Sequence, residues 1–324
     1  MRKSSRLIPS MMCVLTCALL LAGCGSESSS SEVKNVVEVG EDSSEAGTDM
    51  SDSATDSSIT EDAGSDETEE SIDDSTAGIT IEEQTLLDQD GIKVTATEYT
   101  EDSIWGEGIK LLLENESNKD VSVSCNALIV NDYMVSNMFV STVAAGKKAN
   151  ETLYLSSSEL KAAGIENVGQ VEIYFHVYDS ESYDAIFNSD CVTIKTSAYD
   201  EMDTSSDDSG TELYNADGIR IVGKTVDEDS FWGTAILLYC ENNSGKNISV
   251  SVEDMSINGY MMTPFFTSTI YDGKKAYDDI TIMSSELEEN GITAVEEVEL
   301  HFHIYDEETY DTIADSEPIT FAAQ

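Results

Sequence analysis

From residue 85 onward, apolar residues fall at every second position in short runs, and each run is bounded by polar turn residues. Ile92-x-Val94-x-Ala96 is followed by Ile109-x-Leu111-x-Leu113, Val121-x-Val123-x-Cys125, Leu153-x-Leu155, Val171-x-Ile173-x-Phe175-x-Val177 and Val192-x-Ile194. A period of two places one face of each run in a core and the other in water, which predicts strands. The segments 115–120 (NESNKD) and 242–247 (NNSGKN) carry turn chemistry between such runs. One short helix is expected over 157–163, where serines can cap the amino end and Gly164 can stop the other.

The pattern occurs twice. Residues 86–194 align with 213–321 at a constant offset of 127, without a gap, and about four positions in ten are identical. Asp102-Ser103-Ile104-Trp105-Gly106 matches Asp229-Ser230-Phe231-Trp232-Gly233, and Ala145-Gly146-Lys147-Lys148-Ala149 matches Asp272-Gly273-Lys274-Lys275-Ala276. A repeat of this length is too long for a propeller blade or solenoid unit and long enough for one core per copy. Six or seven strands per copy predict an all-β chain of two tandem immunoglobulin-like antiparallel β-sandwiches, with a small barrel as the alternative. The domains are expected at 85–197 and 212–324, as separate modules on a string, with 198–211 an acidic Ser/Asp linker.

The amino terminus follows a different pattern. Arg2, Lys3 and Arg6 precede a mostly apolar stretch to Leu21 and then Leu21-Ala22-Gly23-Cys24. These are the positive, hydrophobic and small-residue regions of an export signal, expected over 1–23. The stretch is interrupted by Pro9-Ser10 and is short for a membrane span. Leu21-Ala22-Gly23-Cys24 resembles the lipobox of bacterial lipoproteins, which implies cleavage before Cys24 and a covalent diacylglycerol on its thiol. Two acyl chains hold a protein on a membrane because each buried methylene contributes about 0.8 kcal/mol.

Charge changes the picture between anchor and modules. The 324 residues hold 65 acidic and 16 basic side chains, a formal charge of -49. Nucleic acid and anionic headgroups need a positive footprint, so the charge disfavours both and excludes nucleic acid as a partner. Residues 24–84 are mostly Ser, Asp, Glu, Thr, Gly and Ala. Such a segment is expected to be a disordered stalk, because it buries too little to offset ordering entropy and repels itself. A flexible chain of roughly 60 residues spans about 45 Å. Lipobox, acidic stalk and β modules carrying Glu114-Asn115-x-Ser117-x-Lys119 and Glu241-Asn242-x-Ser244-x-Lys246 together resemble lipoproteins of Gram-positive bacteria with immunoglobulin-like domains of unknown function. That resemblance implies location and fold and assigns no ligand.

Candidate chemistry is sparse. On the run 298–305 the alternation points Glu299, His301, His303 and Tyr305 away from the core; Glu299, His301 and His303 suit Zn²⁺, or the four form a polar sheet face with aromatic cross-strand packing. The first copy has Glu172, Tyr174, His176 and Tyr178 there. Asp179, Glu181 and Asp184, with Asp306, Glu308 and Asp311, form acidic loops that suit Ca²⁺ or a solvated hairpin. Trp105 and Trp232 either stack on a glycan or protein partner or close the ends of their own cores. The paired lysines 147–148 and 274–275 read as solvated turn residues.

Cys125 and Cys240 continue apolar alternations and read as core thiols, with a Cys125–Cys191 disulfide as the alternative. No nucleophile and base can be paired from motifs, so no enzyme is expected. The function expected is a membrane-anchored, extracytoplasmic lipoprotein whose two modules bind an extracellular protein, glycan or envelope component. The alternatives are a ligand-free structural or envelope-stress spacer and a metal-binding lipoprotein using the His301/His303 face.

Overall fold

The computed structural model describes residues 78–102, 104–230 and 233–322. The export signal, Cys24, nearly all of the acidic stalk and Trp232 lie outside the described residues. Module 1 comprises β1 (Gln84–Gln89), β2 (Ile92–Asp102), β3 (Gly106–Asn115), β4 (Val121–Val130), β5 (Tyr133–Val135), β6 (Val140–Val143), β7 (Lys148–Tyr154), α1 (Ser157–Ala162), β8 (Gln170–Asp179), β9 (Ala185–Asn188) and β10 (Val192–Lys195). Module 2 repeats this order as β11 (Thr211–Ala216), β12 (Ile219–Ser230), β13 (Gly233–Asn242), β14 (Ile248–Ile257), β15 (Tyr260–Met261), β16 (Thr267–Ile270), β17 (Lys274–Met283), α2 (Ser284–Glu289), β18 (Glu297–Asp306), β19 (Thr312–Asp315) and β20 (Ile319–Ala322).

The chain is all-β, and each module is an immunoglobulin-like sandwich of antiparallel strands. In module 1 the sheet β1-β2-β3-β7 faces the sheet built on β10-β8-β4, to whose far edge β5 and β6 both pair. Module 2 faces β11-β12-β13-β17 against β20-β18-β14, edged by β15 and β16. The alternating residues fill the cores as their period requires: Val94, Ile109, Leu113, Val123, Leu153, Ile173 and Phe175 are fully buried in one. Ile221, Ile236, Cys240, Val250, Ile280, Leu300 and Phe302 are their counterparts in the other. Strands β5, β9 and β15 escape periodicity because they are two to four residues long.

The recurring Glu-Asn-x-Ser-x-Lys motif has a structural cause. Asn115 is buried at the end of β3, where its amide donates to the carbonyls of Lys119 and Val143, both at 2.8 Å. Its oxygen accepts from the Ser117 backbone N–H (2.9 Å) and hydroxyl (2.7 Å). Asn242 repeats every one of these bonds with Lys246, Ile270 and Ser244. The motif lysine then reaches across to the start of a loop, Lys119 to Asp179 and Lys246 to Asp306, each at 2.7 Å.

Two segments lie differently from the expectation. Residues 79–83, assigned to the stalk by composition, belong against module 1: Ile79 and Ile81 pack on its core, and Ile81 bridges Thr196. The acidic segment 198–211 does not hang free. It begins with a 3₁₀ turn (Tyr199–Glu201), and beyond it the Ser205 and Asp207 carbonyls accept hydrogen bonds from the Tyr133 and Tyr277 hydroxyls. Nor are the modules separate beads on a string. Strand β5 of module 1 pairs in parallel with β17 of module 2, Tyr133 opposite Lys275 and Met134 opposite Ala276, which joins one sheet from each module into a continuous ten-stranded sheet.

Candidate functional site

The joint that β5 and β17 make shapes a broad concave surface between the modules. Strand β5 is presented by a tight turn in which Asn131 (φ 47) and Asp132 (φ 70) are both left-handed, the geometry of a two-residue hairpin. Asn131 is held there because its oxygen accepts the Gly169 and Gln170 backbone N–H groups. A left-handed aspartate costs about 1 kcal/mol, and module 2 has Gly259 at the corresponding place. Asp132 is justified by its carboxylate, which accepts from Lys274 Nζ at 2.8 Å.

Lys274 also meets Glu172 at 2.6 Å, so one half-buried ammonium from module 2 bridges two carboxylates of module 1. Burial by itself would lower its pKa, but the two carboxylates outweigh burial and hold it above the ordinary lysine value. Beside this pair Tyr133 stacks on Tyr277 with centroids 5.8 Å apart, and Tyr277 lies 5.3 Å from Tyr239. Tyr133, Val222, Tyr239 and Tyr277 form a small core of their own at the seam. Burial pushes the Tyr239 hydroxyl up to about 12, so it stays a neutral hydrogen-bonding group. The structure thus corrects the reading of the paired lysines as turn residues: Lys147 is exposed as expected, Lys148 is exposed but opens β7 and pairs with Glu114, and Lys274 and Lys275 open β17, where Lys274 is a structural ion pair.

Between the modules this joint leaves an open cleft of about 920 Å³. Its floor is the β5/β17 seam with Met134, Ala276 and Asp278. One side carries Asn126, Ser136, Glu159, Tyr174 and Asn188 from module 1; the other carries Asn247, Thr267, Tyr271, Glu307, Glu308 and Tyr310 from module 2. Tyr174 and Tyr271 meet edge to face across the modules at 4.9 Å. Four carboxylates line the cleft and no lysine or arginine does, so its field attracts positive charge. Glu159 is fixed by accepting the Ser136 backbone N–H at 2.6 Å.

Asp278 is the most perturbed of these acids. Burial raises its pKa to about 6, opposed by hydrogen bonds from the Asp279 N–H and the Ser268 hydroxyl and reinforced by the charges of Glu159 and Asp279. Because the folded value lies above that of the unfolded chain, the native state binds the extra proton between about pH 4 and 6. Stability therefore falls as pH rises through that window, and Asp278→Asn is expected to flatten the slope in melting temperatures measured from pH 4 to 7.

The residues singled out in the sequence lie elsewhere or serve other purposes. Glu299, His301, His303 and Tyr305 do share one face of β18, but each histidine is committed to the adjoining segment of β19 and the residue after it: His301 Nδ1 lies 3.1 Å from the Ser316 carbonyl and His303 Nδ1 2.5 Å from Asp315. The His303 and Tyr305 rings lie 5.6 Å apart, and His176 and Tyr178 repeat the pairing at 5.2 Å. This is aromatic packing along a polar face. In the acidic loops, Asp179 accepts the Glu181 and Ser182 N–H groups as well as Lys119, and Asp306 does the same with Glu308, Thr309 and Lys246. These donors hold both carboxyls at about 2, and the turn uses the oxygens that calcium would need. Asp184 accepts from Ser182, Glu181 and Asp311 are exposed, and Glu308 turns into the cleft. Among the described residues, no three or more His, Cys, Asp or Glu side chains converge to hold a metal ion.

Trp105 does not close a core. It is 62% exposed, 6.0 Å from Tyr154, beside Ile104 at 81%. Asp102 turns the chain outward there by accepting the N–H groups of both Ile104 and Trp105. The three described cysteines are free thiols, so the disulfide alternative is not realised. Burial pushes Cys125 up to about 12, and Cys240 is buried in the core of module 2. What the sequence reading missed is the joint itself. Its one signal was the difference between the copies, Asp132, Tyr239, Tyr271 and Tyr277 standing where the other copy has Gly259, Leu112, Ala144 and Asn150.

Comparison with known proteins adds little. No known protein family matches the chain, and no curated protein does. Among solved structures, the YadV chaperone aligns at 12% identity over 66% of this chain and 91% of its own, with a TM-score of 0.21. The Salmonella enterica SafB chaperone, solved with the SafA pilin, aligns at 11% identity, 66% and 88% coverage and a TM-score of 0.20. A protein of unknown function from Porphyromonas gingivalis gives 12%, 67%, 90% and 0.20. So remote a likeness assigns no residue role in this chain.

Proposed function

We propose that the chain is a membrane-tethered, non-catalytic binding protein whose working surface is the cleft between its two modules, and that the cleft takes a positively charged segment of an extracellular protein. The observation that carries this reading is the lining: Glu159, Asp278, Glu307 and Glu308 with tyrosines and amides around a space of about 920 Å³ and no basic residue. Carboxylates there receive lysine or arginine side chains, and Tyr174, Tyr271 and Tyr310 supply faces for cations and apolar stems. A ligand-free spacer has no need of such a surface.

Location rests on the sequence around Cys24, which supports export and lipid attachment. Cells fed labelled palmitate are expected to label the wild-type chain and leave Cys24→Ala unlabelled and released from membranes; a labelled, membrane-bound Cys24→Ala overturns the anchor.

The cleft is tested by titrating a lysine-rich peptide, with a glutamate-rich peptide as control, into residues 71–324, which contain both closed cores. Binding of the basic peptide is expected to weaken with salt, and to weaken as pH falls below about 6, where Asp278 takes up its proton. Asp278→Asn with Glu159→Gln is expected to reduce affinity about tenfold. Equal binding of both peptides, or salt-independent binding, overturns the reading.

A further inference from the structure

The joint inside the chain uses two different surfaces, the β5 edge of module 1 and the β17 edge of module 2. Because the modules are duplicates, each carries both kinds of surface, and one of each is left over. Among the described residues, the counterpart of β5 is β15, which pairs with β14 alone, and the counterpart of β17 is β7, which pairs with β3 alone. We propose that these leftover edges dock on each other between molecules, so that a second copy of this chain places its β7 against β15 and repeats the internal joint head to tail.

The residues that make the internal joint are retained at its leftover copies, 127 positions away. Tyr133 beside Lys275 becomes Tyr260 with Lys148, and Met134 opposite Ala276 becomes Met261 with Ala149. Glu172, which holds Lys274, becomes Glu299, and Lys274 becomes Lys147. Exposure marks the difference between a used and an unused surface. Tyr133 is 1% exposed, whereas Tyr260 is 50% and Met261 63% exposed. Lys147 and Glu299 are both exposed, and among the described residues neither has an ion pair. Together they supply the opposite charges that the internal joint places in contact.

Charged residues on a sheet edge commonly serve to block pairing. Here they do not, because Lys274 and Lys275 stand at the same positions on the edge that is paired. Three replacements make the contact between chains weaker than the one within: Gly259 for Asp132, Asn150 for Tyr277 and Leu112 for Tyr239. A linker already brings the internal partners together, whereas the external ones depend on protein concentration, which anchoring to a surface raises. The interface is heterologous, so it adds molecules head to tail into open chains or closed rings and not into a two-fold symmetric pair.

Sedimentation of residues 71–324 from micromolar to millimolar concentration is expected to show association that continues beyond the dimer. Lys147→Glu and Glu299→Lys are each expected to weaken it about tenfold, and the two together to restore it by exchanging the charges. In a Cys191→Ser background, Met261→Cys with Ala149→Cys places thiols on directly opposed strand positions, within disulfide reach. That double variant is expected to oxidise to a ladder, while a mixture of the two single variants stops at dimers. A chain that stays monomeric at millimolar concentration, association that ends at a symmetric dimer, or a double charge exchange that fails to restore association each overturns the proposal.

Discussion

Lys274→Glu is expected to open the molecule at the seam between its modules. The wild-type ammonium is only 16% exposed and touches Glu172, 15% exposed, and Asp132. Reversing its charge leaves three carboxylates facing one another where little water can reach, and removing one partner of a buried pair typically costs about 3–5 kcal/mol. The parallel β5/β17 ladder has only two residue pairs to oppose that cost. The radius of gyration from solution X-ray scattering is therefore expected to rise, and two melting transitions are expected to separate while the cores persist. Lys274→Arg should keep the joint closed, and Lys147→Glu, on the exposed copy, should leave the monomer's scattering unchanged. Unchanged scattering for Lys274→Glu would show that the tyrosine cluster and linker hold the joint without the ion pair.

The second large effect is expected at the paired asparagines. Asn115→Ala removes two donors and one acceptor from a fully enclosed site and leaves the Val143 carbonyl without its partner; Asn242→Ala does the same to Ile270. An unsatisfied buried polar group costs about 1–3 kcal/mol, and the Ser117 or Ser244 turn loosens as well. Each substitution is expected to lower the melting temperature of its own module by about 10–20 °C, since 1 kcal/mol corresponds to about 4–8 °C in a domain of this size. Replacement by aspartate should be no milder, because a carboxylate cannot donate to two carbonyls. A loss below 1 kcal/mol in calorimetry of both variants would place the motif's importance elsewhere in the turn.

Much of this architecture is legible before any coordinates. The run Val171-x-Ile173-x-Phe175-x-Val177 is β8, and its alternate residues are fully buried. The helix expected over 157–163 forms over Ser157–Ala162. The histidine face was placed correctly on one side of β18, yet which partner each imidazole takes depends on β19 and the turn after it, which approach only when the sheet closes. Trp105 shows the opposite case. A tryptophan next to a strand reads as core, but two backbone N–H groups anchored on Asp102 turn it outward.

The sequence by itself determined the tandem immunoglobulin-like sandwiches, the buried face of each long strand and the 127-residue duplication, because strand alternation and repetition are local properties of the chain. The tertiary structure alone decided that Lys274 is an ion pair while its twin Lys147 is exposed, that the acidic segment after Ala198 accepts hydrogen bonds from two tyrosines, and that four carboxylates face one cleft. Each of these depends on which edge of one module meets which edge of the other. That choice joins residues more than a hundred positions apart and turns on Asp132 and Tyr277, differences between the copies that carry no periodic signal.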